Sequence, residues 1–241
     1  MLQALSFLTI AGRAGVSAAR PTPAALPFFP VVGALIGLAV GYAWWGAGQL
    51  WPPLVAAAIT LAADAVVTGM LHLDGLTDAA DGLIAPMERD RRLAVMRDPS
   101  VGAFGAVTLI VMLLLRLSVF ASTPAAPLTV AALWCLSRAC MAVIALTMPY
   151  ARASGGLASA FLGGRRGAVA VVTTALALAI AMPLALAGSQ WRGLVAVAAA
   201  AIGAALVAWS ARVRIGGFTG DVLGAAGVVG ETVGLVTWAA L

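Results

Sequence analysis

Lysine is missing from this 241-residue chain, so all of its cationic side chains apart from one histidine are arginines, 14 in number. Charged residues of every kind make up only 10% of the sequence, and apolar ones 63%. A soluble globular domain carries roughly 25% charged residues. That scarcity excludes an ordinary soluble domain. With a mean hydropathy of +1.06, it reads as a chain that crosses a membrane several times. Cysteine is nearly absent too. Cys135 and Cys140 lie five apart in an apolar run and share no helical face, so they read as buried free thiols, neither a metal pair nor a disulfide. No Walker loop and no glycine-rich dinucleotide fingerprint occurs, and serine, histidine and aspartate never assemble in a triad context. Met1-Leu2-Gln3-Ala4-Leu5 has no basic run ahead of it, and Arg13 and Arg20 come after the apolar stretch, so no cleavable signal peptide is expected. The net charge of +5 bears first on membrane topology and second on anions. No nucleic-acid partner is expected.

What the chain does have is one acidic stretch, His72-Leu73-Asp74-Gly75-Leu76-Thr77-Asp78-Ala79-Ala80-Asp81-Gly82. It holds three carboxylates and the only histidine. At 100° per residue Asp74, Asp78 and Asp81 fall at about 0°, 40° and −20° around a helix, within one stripe. Like charges so placed repel, and desolvation at a membrane adds to the cost. A cation relieves it. Three oxygen donors on one face suit Mg²⁺ or Mn²⁺, with water and a substrate phosphate completing the shell. The plainer alternative is a helix-capping cluster or a solvated polar face.

Seven apolar runs follow a lead-in. Residues 1–29 form an interfacial N-terminal segment, with Leu2, Leu5, Phe7, Leu8 and Ile10 along the membrane surface, and Pro21, Pro23, Pro27 and Pro30 preventing a continuous helix. Residues 30–241 form the membrane domain, with spans near 31–51, 54–71, 102–121, 128–149, 168–187 (where Pro183 is expected to kink the helix), 193–211 and the last run to Leu241. The fold class is an all-α, polytopic membrane bundle of about seven helices. Gly33, Gly37 and Gly41 form a small-residue ladder suited to close helix approach, within the chain or between two copies of it. Trp44, Trp45 and Trp51 mark an interface belt. The second span is expected to continue into the acidic stretch, and on one continuous helix Asp64 would turn toward the same cavity. Arginines in alternate loops number eleven (residues 13, 20, 89, 91, 92, 97, 152, 165, 166, 212 and 214) against one, Arg192. That bias puts the N-terminus and the acidic stretch in the cytoplasm. Arg116 and Arg138 lie inside spans.

The polar loops therefore fall on one side. A transporter would need polar groups reachable from both faces; one-sided chemistry favours an enzyme. Aspartates beside arginines at a membrane surface suit phosphoryl transfer, with metal neutralising phosphate and guanidinium groups clamping anionic oxygens. Glycine turns such as Gly216-Gly217 and Gly220 let backbone N–H groups approach an anion. His72 is a ligand, a base or an orienting partner. Arg97 and Asp98 precede a turn and are site candidates; Asp221, among glycines at the start of the last run, is another. Arg116 and Arg138 either bind phosphate or pair with Asp64 or Glu231. Arg89, Arg91 and Arg92 read as topology and lipid-headgroup contacts.

The motif His72-Leu73-Asp74-Gly75-Leu76-x-Asp78-x-x-Asp81-Gly82 resembles the signature of the cobalamin 5′-phosphate synthases, or adenosylcobinamide-GDP ribazoletransferases. The resemblance continues in order through Phe29-Pro30-x-x-Gly33, Arg89-x-x-Arg92-Leu93-x-x-Met96-Arg97-Asp98 with Gly102 and Gly105, Ser137-Arg138, Tyr150-Ala151-Arg152 and Thr219-Gly220-Asp221-x-Leu223-Gly224-Ala225. The chain departs from the pattern at Val228, often glutamate in relatives, and at Ala103, often threonine. The resemblance implies a Mg²⁺-dependent enzyme of the bacterial inner membrane, active on the cytoplasmic face. A hydroxyl of α-ribazole, or of its 5′-phosphate, attacks the phosphate attached to cobinamide in adenosylcobinamide-GDP, and GMP leaves. On that reading Asp74, Asp78 and Asp81 hold metal, and Asp81 is also a candidate base alongside His72. Arg97, Arg138 and Arg152 clamp phosphate, and Asp221 and Gly220 contact substrate. The alternatives are a membrane transferase for CDP-alcohols or prenyl diphosphates, whose Asp-Gly…Ala-Arg or paired Asp-Asp motifs are not found here, and a secondary transporter with Asp64 and Glu231 as ion sites.

Overall fold

A computed structural model describes residues 1–10, 22–152, 157–161 and 166–241. Arg13, Arg20, Pro21 and Arg165, named above, lie outside the described residues. The protein is all-α. Its helices are α1 (Leu2–Leu8), α2 (Phe29–Leu50), α3 (Pro53–Thr68), α4 (Leu71–Ile84), α5 (Arg89–Val95), α6 (Ala103–Ser122), α7 (Pro127–Thr147), α8 (Arg166–Ile215) and α9 (Gly220–Ala239). Prolines open several of them: Pro53 and Pro127 sit in the first turns of α3 and α7, where a missing N–H costs nothing. Five helices are long and apolar enough to cross a membrane, or six if α3 and α4 together make one bent span. That count takes α8 once, although it folds back on itself. Ser189 and Gln190 leave helical geometry, and Gly193 packs against Ala185, eight residues away, a distance of about 12 Å along a straight helix.

The second span does not run unbroken into the acidic stretch. Gly69 and Met70 both take left-handed backbone, with φ of 60° and 61°. Their amides return to Val66 and Ala65, at 3.1 and 2.9 Å, which is a Schellman closure of α3. The chain leaves it at 91° to form α4. Asp64 is therefore parted from the three aspartates by a corner, and the expected shared face does not exist.

The glycine ladder packs within the chain. A Cβ at Gly37 would stand 2.6 Å from Ala131 Cα, and one at Gly41 2.6 Å from Pro127 Cα, so α2 and α7 meet backbone to backbone. Of the tryptophans expected at an interface, Trp45 and Trp51 are exposed, but Trp44 is buried. It donates to the Phe120 carbonyl at 3.0 Å. In the N-terminal segment Ala4 and Leu8 are buried, and Phe7 meets the rings of Phe29 and Phe161.

An ionic cluster ties the bundle together. The Arg116 guanidinium donates to Asp64 Oδ2 (3.1 Å), Glu231 Oε2 (2.8 Å), Thr232 Oγ1 (2.8 Å) and the Val228 carbonyl (2.9 Å). Trp134 Nε1 donates to Asp64 Oδ1 at 3.0 Å. Ser137 and Arg138 both donate to Glu231 Oε1. Four helices, α3, α6, α7 and α9, meet there. Charges withdrawn from water in this way need partners on nearly every polar atom.

Candidate functional site

The site begins where α4 crosses α9. Neither Gly75 nor Gly224 has room to spare: a Cβ at Gly75 would be 3.1 Å from Asp221 Cα, and one at Gly224 would be 3.2 Å from the His72 carbonyl oxygen. Two glycines at a crossing let the helices touch through their backbones. That contact brings the acidic face of α4 to the first turn of α9. Thr219 caps α9, accepting from the Val222 amide at 3.3 Å, and donates to Asp221 Oδ2 at 3.1 Å. Arg152 reaches the same oxygen with Nη2 at 2.6 Å and also donates to the Met96 carbonyl at 3.2 Å.

These residues enclose a cavity of about 200 Å³ whose wall includes His72, Asp74, Arg152, Gly220, Asp221 and Met141. Asp74 is exposed and Asp78 half-buried. Asp78 has Asp221, then Asp74, as its strongest like-charge neighbours, with Arg152 opposing them. His72 is 3% exposed, and among the described residues neither ring nitrogen has a hydrogen-bond partner. A buried polar group left unpaired costs about 1–3 kcal/mol, and a neutral imidazole offers one donor and one acceptor to a polar group entering beside it.

Asp81 is turned elsewhere. Its Oδ2 accepts from the Gly102 amide and its Oδ1 from the Gly105 amide, each at 2.8 Å. It caps α6, satisfying amides that the helix itself leaves unpaired. The helix it caps is not its own, which is a different role from the helix-capping alternative weighed above against metal binding. A Cβ on Gly105 would fall 2.5 Å from Asp81 Oδ2, so the glycines are what admit the carboxylate. Among the described residues no three His, Cys, Asp or Glu side chains converge as a ready-made ligand set. The donor chemistry still suits Mg²⁺, which is commonly held by one or two carboxylates with water and substrate phosphate; Asp74, Asp78 and Asp221 provide them.

The other candidates divide. Arg152, Asp221 and Gly220 line the cavity with His72 and Asp74. Arg138 does not: it is 1% exposed and paired with Glu231. Arg97 lines an adjoining cavity. Asp98 lines neither; it is exposed and accepts from the Ser100 amide at 2.9 Å, and the Ser100 hydroxyl and amide hold it below the usual carboxylate range. Asp64 and Glu231, the ion sites of a transporter reading, are both bound to Arg116.

Three scaffold arginines were not legible as such. Arg92 Nη1 donates to the carbonyls of Gly82, Leu83 and Ala85 at 2.8, 3.0 and 2.8 Å, and Arg214 donates to Leu83 as well. Both complement the C-terminal end of α4. Arg89 donates to the Ile215 carbonyl (3.1 Å) and the Ala151 carbonyl (2.9 Å). For Arg89 and Arg92 the signals in sequence are the density of arginine after α4 and their place in the Arg89-x-x-Arg92 motif; Arg214 stands far from α4 in sequence and has no such signal.

The described residues thus make an all-helical bundle with helices long and apolar enough to cross a membrane, and carboxylates gathered around one arginine beside a small cavity. Residues 1–239 match the Cobalamin-5-phosphate synthase family, and the chain belongs to that family. It is 36% identical over 243 residues to a protein of Chlorobium phaeovibrioides, covering 100% of this chain and 95% of the relative. A protein of Azorhizobium caulinodans is 40% identical over 207 residues, 81% of this chain and 76% of that one. Both relatives bear the name adenosylcobinamide-GDP ribazoletransferase. No solved structure matches the chain.

Proposed function

We propose that the protein is a Mg²⁺-dependent ribazoletransferase of cobalamin biosynthesis, which joins α-ribazole or its 5′-phosphate to adenosylcobinamide-GDP and releases GMP. The single observation that carries this reading is the meeting of Asp74, Asp78 and Asp221 with Arg152 at the Gly75–Gly224 crossing. It supplies both signs of charge that a diphosphate substrate needs. An acceptor hydroxyl oxygen forms a bond to the phosphorus attached to cobinamide. The bridging P–O bond breaks, its electron pair leaves with GMP, and the hydroxyl proton passes to water at the cavity mouth.

One or two of the neighbouring carboxylates Asp74, Asp78 and Asp221 would hold Mg²⁺ together with water and substrate phosphate; when bound, the ion would neutralise diphosphate oxygens and ease departure of GMP. Arg152, fixed by Asp221 and the Met96 carbonyl, keeps a guanidinium directed at the phosphates. His72 hydrogen-bonds a polar substrate group at the cavity wall. Asp81 holds α6 in place rather than exchanging a proton. The arginine bias supports a site on the cytoplasmic face of the inner membrane.

The test uses detergent-purified protein given adenosylcobinamide-GDP, α-ribazole and Mg²⁺, with GMP release measured. Release is expected, and is expected to be lost in the Asp74→Asn, Asp78→Asn double variant. Absence of release from wild type, or its persistence in the variant, would overturn the reading. A cysteine at Arg91 that is labelled from the periplasm would overturn the orientation.

A further inference from the structure

Arg152 stands in the wall between two cavities. On one side is the aspartate cavity of about 200 Å³. On the other is a larger one of about 420 Å³, whose lining includes Arg89, Asp90, Leu93, Arg97, Tyr150 and Arg152. Ligand sites for drug-sized molecules run from about 300 to 1,000 Å³. The first cavity is thus too small for a whole nucleotide, and the second is large enough.

The second cavity is built from separated parts of the chain, held in register. Arg89 at the start of α5 donates to Ala151 and Ile215. The 149–151 segment is bound to residue 218 by the amide of Ala151 donating to the Phe218 carbonyl and the amide of Phe218 donating to the Pro149 carbonyl, each at 2.9 Å. The Phe218 ring braces that of Tyr150, with centroids 5.3 Å apart. The lining combines an aromatic ring, the aliphatic face of Leu93 and Ala94, three guanidinium groups and one carboxylate, Asp90, which is paired with Arg89 at 3.0 Å and so leaves Arg97 and Arg152 for an anion. Arg97 is exposed and has no ion-pair partner among the described residues. Among the described residues the buried Nε of Arg152 has no hydrogen-bond partner, and the side chain as a whole is 10% exposed. Flat bases stack on aromatic and guanidinium planes, and guanidinium groups pair with phosphate.

We infer that this second cavity is a nucleoside-monophosphate subsite, which seats the bicyclic base and ribose of a nucleotide while Arg152 holds its phosphate at the boundary with the aspartate cavity. The inference rests on the transferase reading. GMP, the leaving half of one substrate, is such a group, and so is the acceptor where it is α-ribazole 5′-phosphate. Displacement at phosphorus sets incoming and leaving oxygens on opposite sides, so a phosphate-facing arginine shared by two cavities is where one nucleotide meets the reacting diphosphate.

The test is equilibrium binding to full-length detergent-purified protein, with GMP, α-ribazole 5′-phosphate and inorganic phosphate as separate probes. The variants are Leu93→Trp, which fills the cavity, and Arg97→Ala, which removes its exposed charge. Melting temperature is followed in both. The expected result is binding of one nucleotide weakened about tenfold or more in both variants, with the other nucleotide within about twofold of wild type. Which one weakens tells the leaving nucleotide from the acceptor. Wild-type affinity for both nucleotides in both variants overturns the subsite, as does equal weakening of both at an unchanged melting temperature. Equal weakening with a lowered melting temperature in Leu93→Trp leaves Arg97→Ala to decide: an unchanged profile there overturns the subsite. If wild type releases no GMP from adenosylcobinamide-GDP, the transferase reading falls and takes the subsite with it; if it does, failure of the variants is failure of the subsite alone.

Discussion

The carboxylate of Asp81 closes on the amide of Gly105, Oδ1 to N at 2.8 Å, while its other oxygen holds the amide of Gly102 at the same distance. One residue of the acidic motif thereby fixes α6 against α4, while Asp74 lines the cavity and Asp78 lies within electrostatic reach of Asp74 and Asp221. Asp81→Ala removes a helix cap, worth about 0.5–2 kcal/mol, and strands a second amide at about 1–3 kcal/mol. The expected outcome is a clearly lowered melting temperature in detergent, followed by intrinsic tryptophan fluorescence. Asp78→Asn is expected to melt with wild type. Matching melting temperatures for Asp81→Ala and wild type would contradict the capping role.

Arg152 and Asp221 act as a unit, joined at 2.6 Å. Arg152→Ala and Asp221→Asn are each expected to lower GMP release by about tenfold or more, the order of a charge-assisted contact worth about 1.5–3 kcal/mol. Because the two groups touch, the double variant is expected to lose less than the sum of the singles. Strictly additive losses would show that they work apart.

Chelation provides a separate check on the carboxylates. Removing divalent metal is expected to stop GMP release, and Mg²⁺ to restore it. Asp74→Asn is expected to raise the Mg²⁺ concentration needed for half-maximal release, since it removes one donor and eases the repulsion at Asp78. Release unaffected by chelator would exclude the metal role.

Arg116 joins Asp64 and Glu231 deep in the bundle, 1% exposed. Arg116→Met leaves both acids short of a partner, and breaking a buried pair from one side costs about 3–5 kcal/mol. The expectation is a sharp fall in folded yield on size-exclusion chromatography. A normal yield would mean that the cluster adds little to stability.

Gly37 faces Ala131 with no space for a side chain. Gly37→Val is expected to lower the melting temperature by an amount matching an overpacking cost of about 1–3 kcal/mol, with the oligomeric state in detergent unchanged. A shift in oligomeric state at constant melting temperature would place the ladder between chains.

Much of this was legible without coordinates. The helical class followed from apolar runs, prolines and the scarcity of charge. The acidic motif read correctly as a helix, because the three aspartates recur at its period. The corner at Gly69–Met70 was not read, although Gly69 is a stop signal, because hydropathy runs on across it and Met70 takes a backbone rarely used by such a residue. Arg138 was equally ambiguous in sequence: a guanidinium inside a span suits a buried acid and a phosphate alike, and only its place beside Glu231 separates them.

The sequence by itself determined that the chain is helical and membrane-suited, that its polar chemistry concentrates in a few motifs, and to which family those motifs point. Composition and periodicity are local quantities, and they act through local backbone and solvation physics. Tertiary structure alone decided which carboxylates share a cavity. Asp221 lies 140 or more positions from Asp74, Asp78 and Asp81, and what brings it to two of them is the close crossing of Gly75 and Gly224. Asp81, in the same stripe, is withdrawn by the unpaired amides of α6, a demand that no spacing within its own helix reveals.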